Sequence, residues 1–230
     1  MKIKILHVLC EGQTEQGFVD EVLRPYLLDN GFASVKSVLV TTNKKENAQG
    51  GMSSYTHAQL DLNLMRLSNP DSSIESHIFT TMFDLYALPN DFPGYKEAKE
   101  IIEPYARVNA LEQSLSNAVG DARFIPYIQL HEFEALLFCG IEHIAKMYPI
   151  CKSRCEQLTK DLQKVGNPEL IDNSPITAPS KRIIKAIEGD KKYKYNKPTT
   201  GKTVTKEIGI ENLRAKCPHF NEWIEQLLNC

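Results

Sequence analysis

The chain opens on an almost unbroken apolar run, Ile3, Ile5, Leu6, Val8 and Leu9, which stops abruptly at the stretch Cys10-Glu11-Gly12-Gln13-Thr14-Glu15. A run that is apolar at successive positions predicts a strand buried on both faces, as in parallel sheets covered by helices. Gly12 permits a sharp turn, and Thr14 can cap the helix that follows. From Thr14 to Leu28 the residues Phe18, Val19, Val22, Leu23, Tyr26 and Leu27 share one helical face. Pro25 predicts a kink and Asn30-Gly31 an end. Val35 to Thr41 predicts a second strand. Residues 43–54, without period around Gln49-Gly50-Gly51, predict an exposed mobile loop. His57 to Leu67 predicts a helix facing the core through Leu60, Leu64 and Leu67. His77 to Phe83 predicts a third strand, ending at Asp84. Tyr95 to Val119 predicts helix on either side of Pro104. Arg123 to Leu130 predicts a fourth strand, with His131-Glu132-Phe133-Glu134 opening another helix.

Strands alternating with helices predict an α/β fold with a mostly parallel central sheet flanked by helices. Beyond Gly140 only helical patterns and prolines recur. The expected organisation is an α/β core over residues 1–138 and a helical, locally basic C-terminal subdomain over residues 139–230, packed on that core. At 230 residues and 42% hydrophobic, the chain can bury roughly 70–75% of its unfolded surface. It holds no apolar run near the roughly 20 residues needed to span a bilayer. Met1-Lys2-Ile3-Lys4 leads directly into a strand rather than a signal segment. The expectation is a soluble cytoplasmic protein without membrane contact. None of the six cysteines forms a Cys-x-x-Cys pair, which argues against structural zinc.

The formal net charge of −2 conceals a division. Between Lys181 and Lys206 nine Lys/Arg face only Glu188 and Asp190, a local +7 that leaves −9 elsewhere. Within it, Lys191-Lys192-Tyr193-Lys194-Tyr195-Asn196-Lys197 interleaves bases with aromatics, as nucleic-acid grooves do. The candidate nucleic-acid-binding residues are Lys181, Arg182, Lys191, Lys192, Lys194 and Lys202. A solvated basic loop would have the same composition.

If the first, third and fourth strands are parallel, their carboxyl ends share one sheet edge, where open α/β sheets place ligands. Glu11, Asp84 and either Glu132 or Glu134 then converge, and Glu15, one turn after Glu11, can join them. Such a cluster is repulsive unless a cation neutralises it, and hard oxygen ligands suit Mg²⁺ or Mn²⁺. Glu15 is also favourable as an acid in a first helical turn, and Asp84 as a turn former. On a regular helix Glu132 and Glu134 diverge by about 200°, so one of them faces the site. Other chemistries are excluded. Ala135 stands where a zinc protease needs its second histidine, Gly201-Lys202-Thr203 lacks the earlier P-loop glycine, and no nucleophile elbow is present.

A strand ending in Glu-Gly-x-Thr-Glu, followed about seventy residues later by a strand ending in Asp, resembles the Toprim domain of topoisomerases, primases and OLD nucleases. The set Phe83-Asp84-Leu85-Tyr86-Ala87-Leu88-Pro89, Leu130-His131-Glu132-Phe133-Glu134-Ala135-Leu136-Leu137-Phe138, Ala178-Pro179-Ser180-Lys181-Arg182 and Cys217-Pro218-His219-Phe220 resembles more closely a Toprim-like family of bacterial proteins. These are encoded beside AAA/ABC-type ATPases, as in AbiL-type abortive infection. The resemblance implies a Toprim-like fold and a Mg²⁺- or Mn²⁺-dependent nuclease that cuts DNA or RNA in phage defence with an ATPase partner. It implies metal-binding roles for Glu11, Glu15 and Asp84, a later acidic ligand from Glu132 or Glu134, and a lysine, Lys181 or Lys202, that stabilises phosphate charge. The usual Asp-x-Asp pair is here Asp84-Leu85-Tyr86. That departure supports one alternative, a non-catalytic component that binds nucleic acid or a partner; a second is metal-dependent phosphoryl transfer on a small molecule, which the same metal site would serve.

Overall fold

The computed structural model of the chain describes residues 2–43, 48–49, 51–171 and 177–230. In chain order it contains β1 (Ile3–Cys10), α1 (Gln13–Phe18), a π-helical turn (Val19–Leu23), α2 (Arg24–Asp29), β2 (Phe32–Leu39), β3 (Thr41–Asn43) and β4 (Ala48–Gln49). Then follow α3 (Tyr55–Leu67), β5 (Glu75–Asp84), α4 (Tyr95–Ala98), α5 (Pro104–Val119), β6 (Phe124–Ile125) and β7 (Ile128–Gln129). A 3₁₀ helix (Phe133–Gly140) leads into α6 (Ile141–Met147), α7 (Lys152–Val165), α8 (Pro179–Glu188), α9 (Lys197–Ile208), α10 (Ile210–Lys216) and α11 (Pro218–Leu228). This is the expected α/β class, with a parallel central sheet between helices, an arrangement consistent with a Toprim-like fold.

The sheet order is β2-β1-β5-β6, with β7 also pairing β5, and every one of these pairings is parallel. Alternation along β1 divides the core. Leu6, Val8 and Cys10 face a layer made by α1, α2 and the C-terminal helices, while Leu9, with Phe79 and Phe83 of β5, faces α3 and α5. The first of these cores runs from Leu6 to Leu227 without a break, so the C-terminal helices are built into the α/β core. Trp223 of α11 stacks on Tyr127 with ring centroids 4.1 Å apart, and its indole N–H donates to Thr80 at 2.9 Å. Burying side chains of this size stabilises by about 1.5–3 kcal/mol each.

Several expectations are corrected locally. The predicted fourth strand is two short pieces, because Pro126 has no N–H to offer the ladder. Thr81 Oγ1 bridges the gap, accepting from Tyr127 N at 3.1 Å and donating to Tyr127 O at 3.0 Å. The kink expected at Pro25 is replaced by the π turn just before it, and Pro25 sits in the first turn of α2. Pro104 starts α5 rather than interrupting it, with the Glu103 side chain capping Tyr105 N and Ala106 N. The helix expected at His131–Glu134 is a 3₁₀ helix starting at Phe133. On α3 the buried residues are Tyr55, Ala58, Leu62 and Met65, whereas Leu60, Leu64 and Leu67 are exposed. Of the loop expected at 43–54, residues 44–47 and 50 lie outside the described residues, and Thr41–Asn43 pairs antiparallel with Ala48–Gln49.

Among the described residues no helix is long and apolar enough to cross a membrane. The six cysteines are free thiols.

Candidate functional site

Parallel pairing of β1 with β5 sets Cys10 beside Met82, so Glu11 and Asp84 emerge together at the carboxyl edge of the sheet. Glu11 N donates to Met82 O at 3.1 Å, extending the ladder by one bond beyond the strand. The Glu11 side chain then turns across, and its Oε2 accepts from Asp84 N at 2.9 Å. Gly12 follows in an extended conformation, as N-cap of α1. A Cβ there would lie 2.9 Å from Glu15 Oε2, which shows how closely the buried Glu15 carboxylate folds back over this turn.

Asp84 is buried, and each of its oxygens has a partner. Oδ1 accepts from Phe133 N at 2.8 Å, tying the end of β5 to the start of the 3₁₀ helix. Oδ2 faces Lys197 Nζ at 3.4 Å. Lys197 opens α9 and also lies 3.1 Å from Glu134 Oε2, at ion-pair distance without hydrogen-bond alignment to that oxygen. Glu134 is fully buried, and its Oε1 accepts from Tyr195 OH at 3.1 Å. Helix α9 comes this close because Gly201 leaves room. A Cβ at Gly201 would stand 2.8 Å from Thr14 Cγ2 and 2.9 Å from Phe133 Cε1.

The electrostatics follow from four carboxylates and one ammonium in a buried space. Burial pushes the Glu11 carboxyl up to about 7, against the Asp84 N–H bond, with the nearby Glu15 charge adding to the rise. Burial also raises Asp84 well above the ordinary carboxylate range, with Lys197 pulling against it and the Glu15, Glu11 and Glu134 charges adding to the rise. Glu134 is raised for the same leading reason. Burial alone would lower Lys197, but Asp84, Glu134 and Glu15 together hold it above its ordinary value, so the ammonium stays charged.

The structure therefore brings Glu11, Glu15, Asp84 and Glu134 together and places the basic candidates elsewhere. Glu132 accepts from Ser180 N at 3.0 Å, in the first turn of α8, while its charge still bears on Glu11 and Glu134. Lys202 passes over Gly17 of α1 and reaches Glu21 at 2.6 Å. Lys181 and Arg182 border a cavity of about 430 Å³ between α7 and α8, where Arg182 pairs with Asp161 at 2.7 Å. Lys191, Lys192 and Lys194 are exposed on the segment between α8 and α9. Tyr193 meets Tyr148 edge-on with centroids 5.4 Å apart.

The lysine inside the cluster is Lys197, and with Tyr195 it is the pair that sequence reasoning did not single out. A signal existed. Tyr193, Tyr195 and Lys197 alternate with Lys192, Lys194 and Asn196, and a period of two separates the side that packs inward from the side that meets solvent. The basic segment thus ends in the carboxylate cluster.

An all-oxygen carboxylate set with surplus negative charge fits a hard divalent cation in its chemistry. In the conformation described, no group of three or more His, Cys, Asp or Glu among the described residues is spaced to hold a metal ion. The Lys197 ammonium supplies the counter-charge.

No curated protein and no solved structure matches the chain. The family profile described as a domain of unknown function, DUF4276, matches residues 10–228. That span begins just before Glu11 and includes every residue of the carboxylate cluster, and on this match the chain belongs to the DUF4276 family.

Proposed function

We propose that the protein is a Mg²⁺- or Mn²⁺-dependent nuclease of Toprim type that hydrolyses phosphodiesters of DNA or RNA, acting in the cytoplasm with an ATPase partner in phage defence. The observation that carries the activity is the convergence of Glu11, Asp84 and Glu134 at the carboxyl edge of a parallel sheet, at the end of a basic segment that delivers Lys197 among them. The ATPase partner and the defence role rest on the sequence resemblance alone.

A divalent ion held by Glu11, Asp84 and Glu134, with Glu15 beside them, would supply charge stabilisation to a phosphoryl group during transfer. The residues divide the remaining tasks. Asp84 N–H fixes the Glu11 carboxylate, and Phe133 N–H fixes that of Asp84, so both are oriented by backbone rather than by mobile side chains. Tyr195 holds one oxygen of Glu134. Lys197, a charged donor about one-third exposed, can turn towards a phosphate oxygen at the mouth of the cluster. Exposed Lys191, Lys192 and Lys194 neutralise the approaching backbone.

The test is cleavage of plasmid, linear DNA and RNA in Mg²⁺ and Mn²⁺, with and without the ATPase encoded nearby. Wild type should cut, and Glu11→Gln and Asp84→Asn should not. Equal cutting by all three would remove the assignment. A second reading, a non-catalytic nucleic-acid-binding component, is favoured by Tyr86 in the place of a second acid. Saturable binding of nucleic acid with no Mn²⁺ binding by calorimetry would select it.

A further inference from the structure

Asp84 and Glu134 each commit one oxygen to the protein frame: Asp84 Oδ1 to Phe133 N at 2.8 Å, Glu134 Oε1 to Tyr195 OH at 3.1 Å. The other oxygen of each, Asp84 Oδ2 and Glu134 Oε2, faces the same Lys197 Nζ, at 3.4 and 3.1 Å. These are the oxygens that a divalent ion between the two acids would use. With the acids as they stand, an ion bonded to Glu134 Oε2 at about 2.1 Å would lie within roughly 5 Å of Nζ, since Nζ is itself 3.1 Å from that oxygen. An ammonium and a divalent ion that close in a buried space repel strongly. One must give way, and the lysine can. Its side chain is 37% exposed, whereas Glu134 is fully buried and Asp84 nearly so. Lys197 is also the first residue of α9, and the field of a helix N-terminus disfavours a cation. What holds the ammonium in place is therefore the pair of acids.

We propose that Lys197 is an exchangeable internal cation: its ammonium occupies the divalent ion's place, and the arriving ion displaces it to the mouth of the cluster. The inference rests on the proposed metal chemistry of the cluster and adds how the metal is admitted. It also sets an order, because the lysine is free to meet a phosphate oxygen only after the metal has taken its acids.

The test is metal binding and lysine labelling at one fixed pH, without nucleic acid. Wild type, in EDTA or in saturating Mg²⁺ or Mn²⁺, is pulsed with an amine-acetylating reagent and mapped by peptide mass spectrometry. Metal should raise the labelling rate of Lys197 several-fold and leave that of Lys202, paired with Glu21, unchanged. By calorimetry Lys197→Met should bind Mn²⁺ about tenfold or more tightly than wild type, the factor by which a pair formed nine-tenths of the time weakens apparent affinity. The labelling needs no variant, so it decides the matter even if Lys197→Met does not fold. Lys197 labelling that is unchanged or slowed by saturating metal overturns the exchange, as does Mn²⁺ binding by Lys197→Met that is equal to or weaker than that of wild type. Either result in a wild type that cuts DNA or RNA removes the exchange alone. Exchange in a protein that never cuts removes the nuclease reading alone, and a wild type and a variant that both bind no Mn²⁺ remove the two together.

Discussion

Lys197 Nζ lies 3.1 Å from Glu134 Oε2, an ion pair in which the carboxylate is fully buried and the lysine is not. Lys197 also reaches Asp84, so its loss leaves two buried carboxylates without their cation. Lys197→Met is expected to destabilise the metal-free protein by about 1–3 kcal/mol at pH 8, less than for a fully buried pair because water reaches the ammonium. The loss should be smaller at pH 5 than at pH 8, because burial raises both carboxylates and lower pH favours their neutral forms. Urea melts at the two pH values, in EDTA, measure both effects, and an equal loss at each pH would contradict the pairing.

Glu11 makes the opposite prediction. Its folded value of about 7 lies above the ordinary 4.5, so its charge opposes folding. The penalty is absent below pH 4.5 and grows as pH rises to about 7. Glu11→Gln keeps an acceptor for Asp84 N–H and removes that charge. In EDTA at pH 8 it should melt several degrees above wild type, for a gain on the order of 1–3 kcal/mol. Mg²⁺ or Mn²⁺ should raise the melting temperature of wild type and leave the variant nearly unchanged. A metal response kept in full by Glu11→Gln would show that Glu11 is no ligand.

Within the sheet, the buried rings of His7, midway along β1, and His77, near the start of β5, share a hydrogen bond of 3.0 Å. Burial, aided by the Lys36, His77 and Arg123 charges, lowers His7 to about 4 from 6.5. A histidine lowered in the folded state contributes stability that is complete above pH 6.5 and is lost as pH falls towards 4. The loss is roughly 2–3 kcal/mol over that window. His7→Phe should flatten this acid limb, and chemical denaturation from pH 7.5 to 4 reads it directly.

Much of this architecture is legible along the chain. The run Ile3–Leu9 announces a doubly buried strand, and Glu11 and Asp84 stand where such strands end. Three features were hidden for physical reasons. On α3, Ala58-Leu62-Met65 and Leu60-Leu64-Leu67 are interleaved rows of the same spacing, and periodicity alone cannot choose between them. The 3₁₀ geometry after Glu132 changes the angle between successive side chains, so a helical wheel could not assign Glu132 and Glu134 their partners. Lys197 was submerged in the charge of its own segment, because composition does not distinguish a lysine that meets solvent from one drawn into a carboxylate cluster.

The basic segment also makes a measurable prediction. Replacing Lys191, Lys192 and Lys194 by Glu should weaken nucleic-acid binding for all sequences alike. It should also flatten the log–log salt dependence, which runs at roughly −0.7 to −0.9 per phosphate neutralised. An unchanged slope would show that these lysines are only solvated.

Gly201 offers a test of assembly. Gly201→Ala places a methyl group against Thr14 and Phe133 with no space to receive it. Overpacking of this kind costs typically about 1–3 kcal/mol. Because the clash separates α9 from α1, the variant should lose metal-induced stabilisation as well as melting temperature. A variant with both unchanged would mean that the approach of the two helices is looser than described.

The close seat of α9 has a consequence in time as well as in space. Glu11, Asp84, Glu134 and Lys197 are spread over most of the chain, and the last of them to be synthesised is the cation that holds the others together. A growing chain on the ribosome cannot close the centre until α9 has emerged and docked. The assembled cluster is therefore a property of the finished chain, and a product cut short before Lys197 would retain its acids without the residue that gathers them.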